Sequence, residues 1–269
     1  MSSVPTTDHM AVGIHDTAIV DRGAELEPGV QVGPYAIVGP GVRIGANSHI
    51  GPRVLIEKDT TVGNGCRIAN GAVLGTDPQD LKYEGERTHL EIGDRTVIRE
   101  FATLNRGTAA VGRTTVGSDC FLMAYCHIAH DCEIGNHVII SNATNMAGQV
   151  SIEDWAIVSG LVAIHQFVRI GAHAFVGGGS RINRDVPPYC KATGNPSPRL
   201  YGLNTVGLDR RGFSPGVRRC LKRTYRILFQ SEWNLSQALR KVTEEPELRC
   251  PEVGYFLDFI RNSERGIIF

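Results

Sequence analysis

No stretch of about 18 consecutive apolar residues occurs in this chain of 269 residues, so no membrane-spanning helix is expected. The seven cysteines are odd in number and none forms a Cys-x-x-Cys pair. Nothing at Met1–Met10 reads as a signal peptide. Free thiols in a reducing cytoplasm are therefore expected. Net charge is also lacking: 28 Lys and Arg balance 28 Asp and Glu. With a formal charge of zero, no bulk attraction to nucleic acid or membrane is implied.

The balance is uneven along the chain. Residues 199–269 hold 13 basic against 8 acidic side chains, a net of +5. Residues 1–198 hold 15 against 20, a net of −5. A basic C-terminal part suits an acidic partner.

Glycine is abundant, at 31 residues. Its placement belongs to a repeat. Every sixth residue from Ile14 to Leu74 is aliphatic. The phase breaks at Asp80 and Glu86, returns at Ile92, Ile98 and Leu104, and lapses at Ala110. It then runs from Val116 to Ile182, with Met146 the one sulfur-bearing member. Two residues earlier lies a small or β-branched side chain, as at Ala18, Val30, Ala36 and Val54. Cys66, Cys120, Cys126 and Cys132 share that register and read as small buried hydrophobes. Glycine often follows the aliphatic residue, as at Gly33, Gly45 and Gly93.

Two inward positions per six residues fit neither a helix nor simple strand alternation. They suit a short strand and a corner, three of which make one coil of about 18 residues. Coils stack, bury their aliphatics against one another, and satisfy the backbone by hydrogen bonds between coils. A parallel β-helix is expected over residues 1–188, with loops at 75–90 and 105–115. A solenoid needs no such loops for stability, so they are candidates for function.

A connector is expected at 189–213, then helices to residue 269. Ser214-Pro215 is a helix start, followed by Val217, Leu221, Tyr225, Leu228 and Phe229 on one face. Asn234 and Gln237 form a capping-box pattern, and Pro251 opens a helix carrying Val253, Phe256, Leu257 and Ile260.

The register turns His127, His130, Gln149 and His165 outward. One coil on from His130 stands Gly148, whose N–H lies open to a ligand, so an imidazole base and an oxyanion donor come together. Asp131 follows His130 at a corner where the two side chains can pair. The outward histidines, with His137 and His173, lack the spacing by which some hexapeptide-repeat trimers hold zinc, so no metal is expected. Gly177-Gly178-Gly179 falls at a solenoid corner, not between a strand and a helix, and is a weak phosphate signal.

Eight segments carry a more specific resemblance: Gln79-Asp80-Leu81-Lys82-Tyr83, Ile92-Gly93-Asp94-Arg95, Arg106-Gly107-Thr108, His127-Ile128-Ala129-His130-Asp131-Cys132, His165-Gln166-Phe167, Asp185-Val186-Pro187-Pro188-Tyr189, Gly194-Asn195 and Arg210-Arg211-Gly212-Phe213. With these the chain resembles the bacterial acyl-carrier-protein:UDP-N-acetylglucosamine O-acyltransferases, which open lipid A synthesis. The resemblance implies a left-handed β-helix and a homotrimer with sites between subunits. It implies an acyl carrier protein and UDP-N-acetylglucosamine as substrates, and no cofactor.

It further implies that His130 is the general base, with Asp131 as a possible orienter and Gly148 N–H as oxyanion donor. Asp80, Lys82, His127, Gln149, His165 and Gln166 would contact substrate. Asn204, Arg210 and Arg211 would hold the nucleotide. Gly178 would gauge acyl length, and a glycine leaves room for a long 3-hydroxyacyl chain. The chain departs from the family pattern at Gln149, Pro196 and Val206. These departures leave the choice between a 3-hydroxyl and a 3-amino acceptor open. A non-catalytic scaffold stands as the remaining alternative.

Overall fold

The computed structural model describes residues 12–269. The reading of Met1–Met10 lies outside the described residues. The chain divides into two compact units between Cys132 and Glu133.

In the first unit, strands of two to four residues repeat in three parallel sheets. Gln31 pairs with His49 and Ile37 with Leu55, one coil of 18 residues apart. From Val32 onward the aliphatic register is buried, as at Val32, Ile44, Ile56, Ile68 and Ile98, while Val20 and Leu26 before it are half-buried. The register two residues earlier is buried as well, at Val30, Ala36, Val42 and Val54. Each buried Val or Ile side chain contributes about 1.5–3 kcal/mol by leaving water. Ile14 is exposed, because among the described residues no coil packs beyond its strand. All seven cysteines are free, and Cys66, Cys120, Cys126 and Cys132 are buried.

Glycine and the corners serve different ends. A Cβ on Gly45 would fall 2.6 Å from the Gly63 carbonyl carbon, and one on Gly93 2.7 Å from that of Gly117. Those glycines let coils approach. The left-handed corner lies two residues further on, at Asn47, Asp119 and Asp131 with φ near 60°. Asn and Asp tolerate that conformation best among residues with a Cβ.

The two loops are shorter than expected. Strands Val73–Thr76 and His89–Ile92 leave residues 77–88 between them, and Thr103–Asn105 and Arg113–Val116 leave 106–112. Pairing of Leu90 with Thr60 and with Thr114 draws the flanks into the sheet.

The second unit repeats the same coil, with Ile139 paired to Ile157 and Asn145 to Ala163. The stretch expected as a connector is structured. Cys190–Thr193 pairs in parallel with Phe175–Val176, and Arg199–Leu203 returns antiparallel to it. A short helix α1 follows at Thr205–Arg210. Helices α2 (Pro215–Phe229), α3 (Leu235–Glu244) and α4 (Pro251–Arg261) begin at the expected signals. Ser214 Oγ accepts from Val217 N, and Asn234 and Gln237 form the reciprocal capping box. Leu221, Tyr225, Leu228, Val253, Phe256, Leu257 and Ile260 form one core with Tyr189 and Cys190. Tyr255 and Arg169 fasten α4 to the coils: the tyrosine hydroxyl meets Glu153, and the guanidinium lies 4.3 Å over the Phe259 ring. No helix among the described residues is long and apolar enough to cross a membrane.

Candidate active site

In the first unit the centre is His130. It opens the turn after strand His127–Ile128, with Asp131 as the second turn residue. Its position faces away from the aliphatic core, yet it is buried, at 8% exposure. The expectation of an outward and exposed histidine is corrected in its second half, and the residues around Asp131 show why. The Thr108 backbone N–H donates to Asp131 Oδ1 at 2.7 Å, and the Thr108 hydroxyl donates to Oδ2 at 2.6 Å. The 106–112 loop is thereby drawn onto the corner. Asp131, at φ 60°, turns its carboxylate back toward His130, and Oδ2 lies 2.8 Å from Nδ1. The Asp131 backbone N–H donates to Thr114 Oγ1 at 2.8 Å. The corner conformation thus lets adjacent residues pair where a strand would point them apart.

A carboxylate on Nδ1 favours the tautomer with its proton there. Nε2 is then a lone-pair acceptor with no bonded partner among the described residues. Half-buried His127 bonds Thr103 Oγ1 through Nδ1 at 2.7 Å. Burial, and then the neighbouring His130, push its pKa down, so it stays neutral near pH 7.

Asp80 and Lys82 lie in the 77–88 loop. Asp80 Oδ1 accepts from the Lys82 backbone N–H at 3.0 Å, a local turn that leaves the Lys82 side chain exposed. Beneath this loop is Arg106, fully buried. Its guanidinium bonds the Gly75 carbonyl and Asp77, and donates to Tyr83 Oη at 3.1 Å. Neither Arg106 nor Thr108 stood among the expected site residues. Their signal is their place in a phase break of the repeat, together with the Arg106-Gly107-Thr108 segment that carries part of the family resemblance.

In the second unit Gly148 is buried, and its N–H has no acceptor among the described residues. Gln149 is the half-buried corner residue beside it, at φ 58°. His165 and Gln166 line a groove of about 610 Å³ with Ala147, Ile164, Arg181 and Pro196. Gly178 is exposed, and a Cβ there would meet the Gly160 carbonyl at 3.3 Å.

The expected nucleotide residues differ among themselves. Asn204 is buried and its amide is committed: Oδ1 accepts from Gly207 N to cap α1, and Nδ2 donates to the His173 carbonyl at 3.1 Å. Arg210 is exposed in the last turn of α1. Arg211 lies with its guanidinium carbon 4.8 Å over the Trp155 ring and has no ion pair among the described residues. Trp155 belongs to a stack of corner residues, with His137 at 3.8 Å and His173 at 6.4 Å between ring centres. Burial and the Arg211 charge lower the His173 pKa to about 4.

The coils are those of a bacterial hexapeptide-repeat transferase, and comparison with known proteins gives the family. The model for bacterial transferase hexapeptide repeats matches residues 41–76 and 113–148. The model for the second domain of UDP N-acetylglucosamine O-acyltransferase matches residues 185–268. An acyl-[acyl-carrier-protein]–UDP-N-acetylglucosamine O-acyltransferase of Stenotrophomonas maltophilia is 47% identical over 95% of this chain and 97% of its own length. The Burkholderia lata enzyme of that name is 48% identical over 95% and 98%. The crystal structure of a Bacteroides fragilis UDP-N-acetylglucosamine acyltransferase superposes with a TM-score of 0.91 at 44% identity, covering 95% of this chain and 99% of that one. The chain belongs to the family of acyl-[acyl-carrier-protein]–UDP-N-acetylglucosamine O-acyltransferases, and its fold is the left-handed parallel β-helix with C-terminal helices.

Proposed function

We propose that this protein transfers a 3-hydroxyacyl group from acyl carrier protein to the 3-hydroxyl of UDP-N-acetylglucosamine, the first step of lipid A synthesis. The observation that carries the reading is the buried His130–Asp131 pair, with Nε2 left free. Asp131 holds the Nδ1 proton. Nε2 takes the proton of the sugar hydroxyl as that oxygen attacks the thioester carbonyl. The N–H of Gly148 stabilises the oxyanion of the tetrahedral intermediate. Collapse of that intermediate breaks the C–S bond, and the imidazolium returns its proton to the leaving sulfur.

Asp80, Lys82, His127, Gln149, His165 and Gln166 contact the sugar or acyl chain in this reading. Arg210 and Arg211 hold the diphosphate, for which a guanidinium without an ion pair is suited. Asn204 serves them by capping the helix that ends at Arg210. Gly178 leaves room for a long acyl chain.

The working form is a homotrimer with sites between subunits. Phe101 and Tyr125, exposed and stacked at 5.3 Å between ring centres, supply apolar surface for such a contact. Arg218 is paired with Asp209, and Arg223 with Glu245 and Glu247. Arg219, Lys222 and Arg226 share one face of α2 without an ion pair among the described residues. Those three suit the acidic carrier protein. Free cysteines throughout suit a cytoplasmic enzyme.

The test is a transfer assay read by mass spectrometry. UDP-N-acetylglucosamine and its 3-amino counterpart are each offered with carrier proteins bearing 3-hydroxyacyl chains of several lengths. A hydroxyl acceptor that gains one long hydroxyacyl group supports the reading. Transfer only to the amino sugar, or to neither, overturns it.

A further inference from the structure

We propose that Thr108 is a positioning residue of the reaction, acting on His130 through Asp131; this rests on His130 being the base. The Asp131 carboxylate receives three bonds inside the fold: the Thr108 N–H at 2.7 Å, the Thr108 hydroxyl at 2.6 Å, and His130 Nδ1 at 2.8 Å. Both oxygens are engaged by one threonine, so the carboxylate plane is set by Thr108 before the imidazole meets it. A hydroxyl-to-carboxylate bond of this length is charge-assisted and among the stronger hydrogen bonds. Asp131 is 6% exposed, so water does not substitute readily for a lost donor.

Thr108 is itself held. Its carbonyl accepts from Gly112 N at 2.7 Å, and its hydroxyl accepts from Ala110 N at 3.2 Å. Two residues earlier, buried Arg106 ties the segment to Asp77 and Tyr83. Gly107 between them leaves no slack: a Cβ there would fall 2.3 Å from Arg113 N. The segment 106–108 therefore spans from the loop carrying Asp80 and Lys82 to the carboxylate behind His130. A base orientation set from behind in this way is sensitive to small displacements, which cost on the order of 10²-fold in rate.

The experiment is a kinetic double-mutant cycle on the full-length protein, with Thr108→Val, Asp131→Asn and the double variant, beside Thr108→Ser and His130→Ala. Thr108→Val is expected to lower kcat by roughly 10²-fold with KM for UDP-N-acetylglucosamine within about twofold. Thr108→Ser, which restores the hydroxyl, is expected to regain most of that loss. In the Asp131→Asn background the valine substitution should add little, because its effect passes through the carboxylate. Should Thr108→Val not fold, Thr108→Ala carries the same cycle. An undiminished kcat, or a loss that is equally large without the carboxylate, overturns the proposal while an inactive His130→Ala leaves the base in place. A fully active His130→Ala removes the reading on which the proposal rests.

Discussion

His130 Nδ1 and Asp131 Oδ2 lie 2.8 Å apart, although the two residues are neighbours in the chain. The left-handed corner at Asp131 makes this possible, and Thr108 keeps it so. Asp131→Asn replaces one bonded oxygen by an amide and removes the charge that stabilises an imidazolium. The expected result is a fall in kcat of about 10³–10⁴-fold with KM little changed, read by steady-state kinetics.

The Arg211 guanidinium rests on Trp155, with its Nε buried and unbonded. Trp155→Ala removes the platform but not the charge. A cation–π contact of about 1–2 kcal/mol corresponds to a rise of roughly tenfold in KM for UDP-N-acetylglucosamine, with kcat nearly unchanged. Trp155→Phe should recover part of the affinity. Equal KM in all three proteins would show that the stack has no bearing on the nucleotide.

His173 bears on stability. Its pKa is lowered from 6.5 to about 4 by burial first and by Arg211 second. Between those values the unfolded chain binds a proton that the folded chain does not. Stability therefore declines as pH falls from about 6.5 toward 4. His173→Phe keeps a ring in the stack and removes the titration. Thermal melting across that range should show a shallower loss in the variant than in the parent.

Arg219, Lys222 and Arg226 are exposed, so their attraction for an acidic carrier protein is screened by salt. Raising ionic strength from about 0.05 M to about 0.5 M should raise KM for the carrier-protein substrate. The triple variant to Ala should flatten that dependence. A KM indifferent to salt in the parent protein would place the docking surface elsewhere.

The coil was legible because its core is repetitive: each inward aliphatic meets the same kind of residue one coil away. Ser214, the Asn234–Gln237 box and Pro251 announced three helices for equally local reasons. Loop contacts were not legible in that way. Arg106 and Thr108 act on Tyr83 and Asp131, at separations no period encodes. His130 was placed outward by its register, but its burial depends on the loop that Thr108 fastens. The family resemblance gives Asn204 to the nucleotide, yet its amide caps α1 and bonds the His173 carbonyl, contacts that depend on α1 and not on the repeat. The strands at Cys190–Thr193 and Arg199–Leu203 carry no periodic signal, because their pairing follows the end of the repeat, amid Gly, Pro and Asn.

The measurement that bears most directly on the whole account is turnover of His130→Ala, with fold checked by circular dichroism and UDP-N-acetylglucosamine affinity by calorimetry. The expected result is a folded protein that still binds the sugar nucleotide and has lost at least about 10²–10⁴-fold in kcat. A folded variant that transfers the acyl group at the parent rate would contradict the assignment of the base.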